Sequence, residues 1–378
     1  MVYVLFAIGF ILLIKGADFL IDGSSSLAKK FGISSLIVGL TVVAFGTSLP
    51  ELIVNVLSAL KGEGSADIAL GNVLGSNIAN ILLIMGITAT IYPLDVKVST
   101  AWKEIPFSLF AVLVLLVMAN DVVIDGLSRS VLTRSDGIIL LCFFGFFLYY
   151  IIELALKHQD ELPLVPHGER EKAVLKPAEG EAVGISETGE KIDTEEADTK
   201  ETLDKESKDK EKKNGKEPLL PVWKCVFFIF LGVVCLFFGG RWVVDGAVEI
   251  AEIFKLSKFL ISATIIAIGT SLPELVTSIM AAIKKEPDLS VGNIIGSNIF
   301  NTLLVLGVGC TVGSIPVEAR INNDIIFVII ITLILFLYLF LGKSYKLERW
   351  QGISFVVLYV LYIIYIIMRD KALVAVVV

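Results

Sequence analysis

The chain is poor in the side chains that soluble metal centres and hydrolases use, with two histidines and four cysteines in 378 residues. His158 and His167 both fall in a polar stretch, and no motif of zinc-ligand spacing surrounds them. The cysteines (Cys142, Cys225, Cys235, Cys310) are scattered through apolar sequence with no C-x-x-C pair, so they read as small membrane-facing hydrophobes. No intramembrane Ser-Lys or Asp pair is visible either, and an enzyme is not expected. A basic surface is also missing. The formal net charge is −7, and residues 158–217 alone, with 18 acids against 11 bases, supply all of it. The remainder is close to neutral, which gives no reason to expect a nucleic-acid partner.

Apolar sequence is abundant. The hydrophobic fraction is 55% and the mean hydropathy is +0.82, above the roughly 45–50% of soluble domains. Crossing a bilayer takes about 20 apolar residues. Ten such stretches can be read, near 2–22, 33–60, 67–91, 104–124, 136–157, 221–241, 257–283, 288–313, 323–342 and 351–369. The chain is expected to be an all-α integral membrane protein with the lipid bilayer as its solvent. The first stretch has no basic n-region and no small-residue cleavage site after it, so it reads as a retained span. Residues 158–217 have dense mixed charge and almost no aromatics, and read as a disordered loop between two hydrophobic halves, 1–157 and 218–378.

Those halves are copies. GTSLPEL occurs at 46–52 and again at 269–275, and GNVLGSNIAN at 71–80 is echoed by GNIIGSNIFN at 292–301. Asp22-Gly23 matches Asp245-Gly246 in the same register. Each half carries five spans, an odd number, so the second copy enters the membrane inverted. Inverted repeats meeting at the midplane are typical of secondary transporters. Lys29, Lys30, Lys97, Lys103, Lys284, Lys285, Lys343, Lys346 and Arg349 fall on one side with the flanks of the charged loop, and Lys61, Arg129, Arg134, Lys255, Lys258, Arg320, Arg369 and Lys371 on the other. The modest excess on the first side places the long loop in the cytoplasm and both termini outside.

Glu51 and Glu274 stand inside apolar spans, where a charge costs at least about 2.5–3.5 kcal/mol, and no Lys or Arg shares either span core. A bound cation would offset that cost. Pro50 and Pro273 lack an N–H and free the carbonyls of Gly46 and Gly269. Thr47 and Ser48 lie four and three residues before Glu51, on its helical face, and Thr270 and Ser271 repeat this before Glu274. In the next span Ser76 and Asn80 form an i,i+4 pair, as do Ser297 and Asn301. All of these are hard oxygen donors, suited to Ca²⁺ and Na⁺. Two carboxylates balance one Ca²⁺ and also admit several Na⁺, so a site holding either load but not both would couple their fluxes. Gly71, Gly75, Gly292 and Gly296 read as small residues for close helix packing, and Asn77 and Asn298 as packing or capping groups. Asn72 and Asn293 have no evident role in the sequence.

With these motifs the chain resembles the cation/calcium exchanger superfamily, and within it the prokaryotic sodium/calcium exchangers. G-T-S-L-P-E and G-N-x-x-G-S-N-I look like its two alpha-repeats, and the likeness extends to the RWQGISFVVLYVLY segment beginning at Arg349. The resemblance implies the sodium/calcium exchanger fold, ten transmembrane helices as two inverted five-helix repeats, in a plasma (inner) membrane. It implies Glu51 and Glu274 as ligands of both ions, and Thr47 and Thr270 as calcium-site residues through their carbonyls. It also implies sodium sites from Ser48, Ser271, Ser76 and Ser297 with the carbonyls of Ala44 and Ala267. The first and sixth helices would move against the rest. Potassium-dependent members carry an aspartate at the position of Asn301 or Asn80, so asparagine at both leans away from potassium co-transport. No cofactor is expected beyond the transported ions, and a monomer is expected. Proton/calcium exchange and a cation channel remain alternatives.

Overall fold

In a computed structural model, the described residues are 2–61, 66–124, 126–160, 220–253, 267–342 and 345–377. Apart from residues 158–160, which end a helix, the expected disordered loop lies outside them. Among the described residues, eight helices are long and apolar enough to cross a membrane. These are α1 (Val2–Phe31), α4 (66–91), α5 (Thr100–Met118), α6 (Arg134–Asp160), α7 (Val222–Ile253), α9 (Pro287–Val312), α10 (Ala319–Tyr338) and α11 (Arg349–Val377). A ninth span is broken, with α2 (Ser35–Thr47) and α3 (Leu49–Lys61) meeting at 47°. The tenth expected stretch is described only in its second half, as the short apolar helix α8 (Leu272–Ile283).

Among the described residues there are also two short antiparallel ribbons that hydropathy gives no hint of. Strand β1 (Leu94–Asp95) pairs with β4 (Lys346–Leu347), and β2 (Ser130–Leu132) with β3 (Ile315–Val317). Each ribbon joins one repeat to the other. In the first repeat α5 runs from the β1 end to the β2 end. In the second, α10 runs from β3, beside β2, to β4, beside β1. Corresponding spans therefore cross in opposite senses, which is the inversion expected from an odd number of spans per half.

The outer surface is unlike that of a soluble protein. Large apolar side chains such as Phe146, Phe230 and Leu337 face outward, as the hydrocarbon of a bilayer requires. Polar side chains collect at the centre, on and beside α4 and α9, which are 72% and 83% buried against about 22% for α6 and α7. Close approach of α2 to α9 depends on Gly292, where an added Cβ would lie 2.6 Å from the Leu36 carbonyl oxygen. The cysteines divide rather than all facing lipid, since Cys225 and Cys310 are fully buried and Cys142 is exposed.

Helices α1 and α7 run well past their expected ends, over 30 and 32 residues. At about 1.5 Å per residue each exceeds the roughly 30 Å hydrocarbon core. They pack antiparallel, with Gly9 against Gly239 and Gly16 against Gly232, where a Cβ on Gly16 would sit 3.0 Å from the Gly232 carbonyl oxygen. Leu13, Leu20, Leu236 and Val243 build a small core of their own, separate from the main one. The extra turns of α1 stay helical because their polar groups find partners on the loop after α8. Lys284 Nζ lies 2.7 Å from Asp22 and 3.0 Å from Asp18. The Glu286 carboxylate accepts from Ser25 at 2.8 Å and from Lys29 and Ser35 at 3.3 Å.

Candidate ion-binding site

The site is built at two helix breaks. α2 stops at Thr47, Ser48 takes φ −85° and ψ 7°, and α3 restarts at Leu49 with Pro50 in its first turn. The second repeat copies this. A short helical turn at Ala267–Gly269 ends before Thr270, Ser271 takes φ −88° and ψ 6°, and α8 begins with Pro273 in its first turn. Proline stops each ladder because it supplies no N–H to the carbonyl four residues back, and both glutamates then sit in the first turn of the restarted helix.

Glu51 and Glu274 are 0% and 1% exposed. Among the described residues no basic side chain pairs with either. Ser76 donates to Glu51 Oε1 at 3.3 Å, and Ser48 donates to Glu274 Oε1 at 3.1 Å. Oε2 of each glutamate is buried without a partner. The threonine hydroxyls are bonded elsewhere, Thr47 to Asn293 Oδ1 at 3.1 Å and Thr270 to Asn72 Oδ1 at 3.3 Å. The sequence had placed Thr47 and Ser48 on the face of Glu51, as in an unbroken helix. The bend at Ser48 redirects the serine to Glu274.

The remaining oxygen donors follow the symmetry incompletely. Ser271 and Ser297 are buried with free hydroxyls, although their counterparts Ser48 and Ser76 are bound to glutamates. Ala44 is buried, and its carbonyl accepts the Ser48 amide at 3.0 Å; Ala267 opens the turn before the second break. Asn80 and Asn301 each occupy a π-helical segment, Ala79–Ile84 and Phe300–Val305. Such wide turns often mark functional sites, and periodicity does not reveal them. Asn80 Nδ2 donates to Asn298 Oδ1 at 3.0 Å, leaving its own Oδ1 free, and neither amide atom of Asn301 has a partner. Asn77 donates to Thr302 at 2.9 Å, across the repeats.

Each buried polar atom left unpaired costs about 1–3 kcal/mol, so this cluster of free oxygens in an otherwise well-packed centre suits a cation that binds there. Among the described residues no group of three or more His, Cys, Asp or Glu is placed to hold a resident metal. The donors are two carboxylates with hydroxyls, amides and backbone carbonyls, a set that favours hard cations.

The sodium/calcium exchanger protein family matches residues 1–153 and 224–368, nearly all of the membrane portion. The chain belongs to the sodium/calcium exchanger family. This exchanger is 37% identical to inner membrane protein YrbG of Escherichia coli over 80% of its length and 77% of that protein's. It is 29% identical to sodium/calcium exchanger MaX1 of Methanosarcina acetivorans, covering 95% and 96% of the two chains. Solved structures of the sodium-calcium exchanger NCX_Mj superpose with a TM-score of 0.70 at 28% identity, over 96% of this chain and 97% of that one. The exchanger is therefore a multi-pass membrane transporter of an all-helical fold, and its family is one of ion exchange rather than of enzymes.

Some buried polar residues were not singled out from sequence. Asp324 is held by Arg369 through two contacts at 3.0 and 3.3 Å and by the Tyr362 hydroxyl at 3.3 Å. Glu104, fully buried, accepts from the Tyr150 hydroxyl. An acid near the start of an apolar run was the available signal for both, but their partners are about 45 residues away in sequence.

Proposed function

We propose that this exchanger moves Ca²⁺ against Na⁺ across a plasma membrane by alternating access, with both ions competing for the site between the two helix breaks. The supporting observation is the pair of glutamates, buried without a basic partner, each with one oxygen hydrogen-bonded and one free. Two negative charges match one Ca²⁺, and the hydroxyls of Ser48, Ser76, Ser271 and Ser297 suit Na⁺. In this reading Glu51 and Glu274 bind both ions, and Thr47 and Thr270 with the carbonyls of Ala44 and Ala267 complete the shell. Asn80 and Asn301 supply neutral oxygens where a third carboxylate would favour another cation. The names of MaX1 and NCX_Mj as sodium/calcium exchangers support the ion pair. In the same reading the long charged loop is cytoplasmic, both termini are outside, and the transporter works as a monomer with no cofactor.

Calcium uptake into proteoliposomes loaded with Na⁺, against K⁺-loaded and pH-gradient controls, tests this directly. Uptake that requires the outward Na⁺ gradient is expected. Uptake driven only by a pH gradient would make the transporter proton-coupled, and uptake without any counter-ion gradient at channel-like rates would make it a channel.

A further inference from the structure

Asn72 and Asn293, the first asparagines of the two G-N-x-x-G-S-N motifs, each reach across to the threonine at the other repeat's helix break. Thr47 Oγ1 donates to Asn293 Oδ1 at 3.1 Å, and Thr270 Oγ1 donates to Asn72 Oδ1 at 3.3 Å. The amide nitrogens are engaged as well. Asn293 Nδ2 donates to Ser278 Oγ at 3.0 Å, and Asn72 Nδ2 donates to the Glu51 backbone carbonyl at 3.3 Å. Both oxygens and both nitrogens are thus occupied, whereas Asn301 is wholly free and Asn80 keeps a free oxygen. An amide whose oxygen is already bound and whose nitrogen can only donate is a poor cation ligand. It is well suited to fixing the position of something else.

The fixed element is the broken turn. A helical threonine ordinarily turns its hydroxyl back onto its own helix, and Thr47 Oγ1 does lie 3.1 Å from the Val43 carbonyl oxygen and 3.4 Å from that of Ala44. One hydroxyl proton serves one acceptor at a time. Asn293 competes for it, and whenever Asn293 holds it the Val43 and Ala44 carbonyls are relieved of that donor. The same bond ties the break in α2–α3 to α9, and Asn72 ties the second break to α4. The backbone around each glutamate is thereby referenced to the opposite repeat.

We propose that Asn72 and Asn293 are positioning residues. Without touching the ion, they set the affinity of the site by holding the threonine hydroxyl of the opposite repeat. This role presupposes that the two breaks hold the transported cation.

The test is a double-mutant cycle on the purified full-length protein. It is read by calorimetric Ca²⁺ affinity and by the Ca²⁺ dependence of Ca²⁺/Ca²⁺ exchange in proteoliposomes, which needs no coupling ion. Loss of an outer-shell partner typically weakens metal binding by about 10–100-fold, and N293A is expected in that range. T47V keeps the backbone carbonyl and removes only the hydroxyl. In a T47V background N293A is expected to add less than about twofold, because contacting residues are not additive. Asn72→Ala with Thr270→Val gives the same cycle at the half-buried site, so the test survives if N293A fails to fold. Unchanged affinity in folded N293A and N72A, or losses that multiply independently in the double variants, would overturn the proposal. A wild-type protein that neither binds nor exchanges Ca²⁺ would instead overturn the ion-site reading, and the positioning role with it.

Discussion

Ser48 of the first repeat donates its hydroxyl to Glu274 of the second at 3.1 Å, although Glu51 is only three residues away in sequence. The bend at the α2–α3 break carries the serine to the other half of the molecule. The candidate site is therefore shared between the repeats, and neither half forms it alone.

Glu51→Gln and Glu274→Gln should each abolish Na⁺-driven Ca²⁺ uptake, because a single remaining carboxylate leaves a divalent cation with one unit of charge unbalanced in a region that excludes water. Initial rates of ⁴⁵Ca²⁺ uptake in proteoliposomes check this. Normal rates in both variants would remove the carboxylate pair from the mechanism.

Ser48→Ala and Ser76→Ala should weaken transport without ending it. Hydrogen bonds to charged groups contribute about 1.5–3 kcal/mol, so a rise of roughly tenfold or more in the Na⁺ concentration for half-maximal exchange is expected. Fluorescence-detected sizing would confirm that both variants fold.

Lys284 fastens the end of α1 to the loop after α8 through Asp22 and Asp18. Burial works against its charge, but the bonds to the two aspartates more than offset this and hold the ammonium above its ordinary 10.5. A raised lysine contributes fully below the unfolded value and loses its contribution only as pH climbs through the higher folded one. The fastening should therefore be constant between pH 7 and 9. Lys284→Met should speed amide exchange over residues 17–31 in deuterium-exchange mass spectrometry, with the difference from wild type unchanged across that pH range after correction for intrinsic rates.

Asp324 and Arg369 form an ion pair with only 10% and 18% of their side chains exposed. Removing one partner of such a pair typically costs about 3–5 kcal/mol, and replacing both by apolar residues much less. Asp324→Asn should lower the melting temperature in detergent more than the double change Asp324→Leu with Arg369→Met. The reverse order would show that the pair is not the source of the stability.

Much of this architecture was legible in the sequence, and the exceptions have physical causes. Apolar runs report burial in lipid, so they located the spans, and repeated G-T-S-L-P-E-L revealed the duplication. The same runs underestimated α1 and α7, because hydropathy stops at Asp18 and Asp22 or Arg241 and Asp245 while the helix continues wherever those charges find partners. Ideal helical spacing assigned Ser48 to Glu51, and the break reassigned it. Asn72 and Asn293 stayed unexplained because their partners are 198 and 246 residues away. No local pattern encodes such a distance.

The ribbons that clasp β1 to β4 and β2 to β3 have an energetic consequence. In the alternating-access reading proposed above, two copies of one unit, clasped head to tail, exchange conformations, and the exchanged molecule opens toward the opposite side of the membrane. If the copies were identical the two forms would be degenerate. Whatever preference the transporter shows at rest must then arise from positions where the copies have diverged. Asp18, bound to Lys284, is matched in the second copy by Arg241, which instead pairs with Asp245 on its own helix at 3.8 Å. In that reading, divergent pairs of this kind would set which side of the membrane the empty carrier faces.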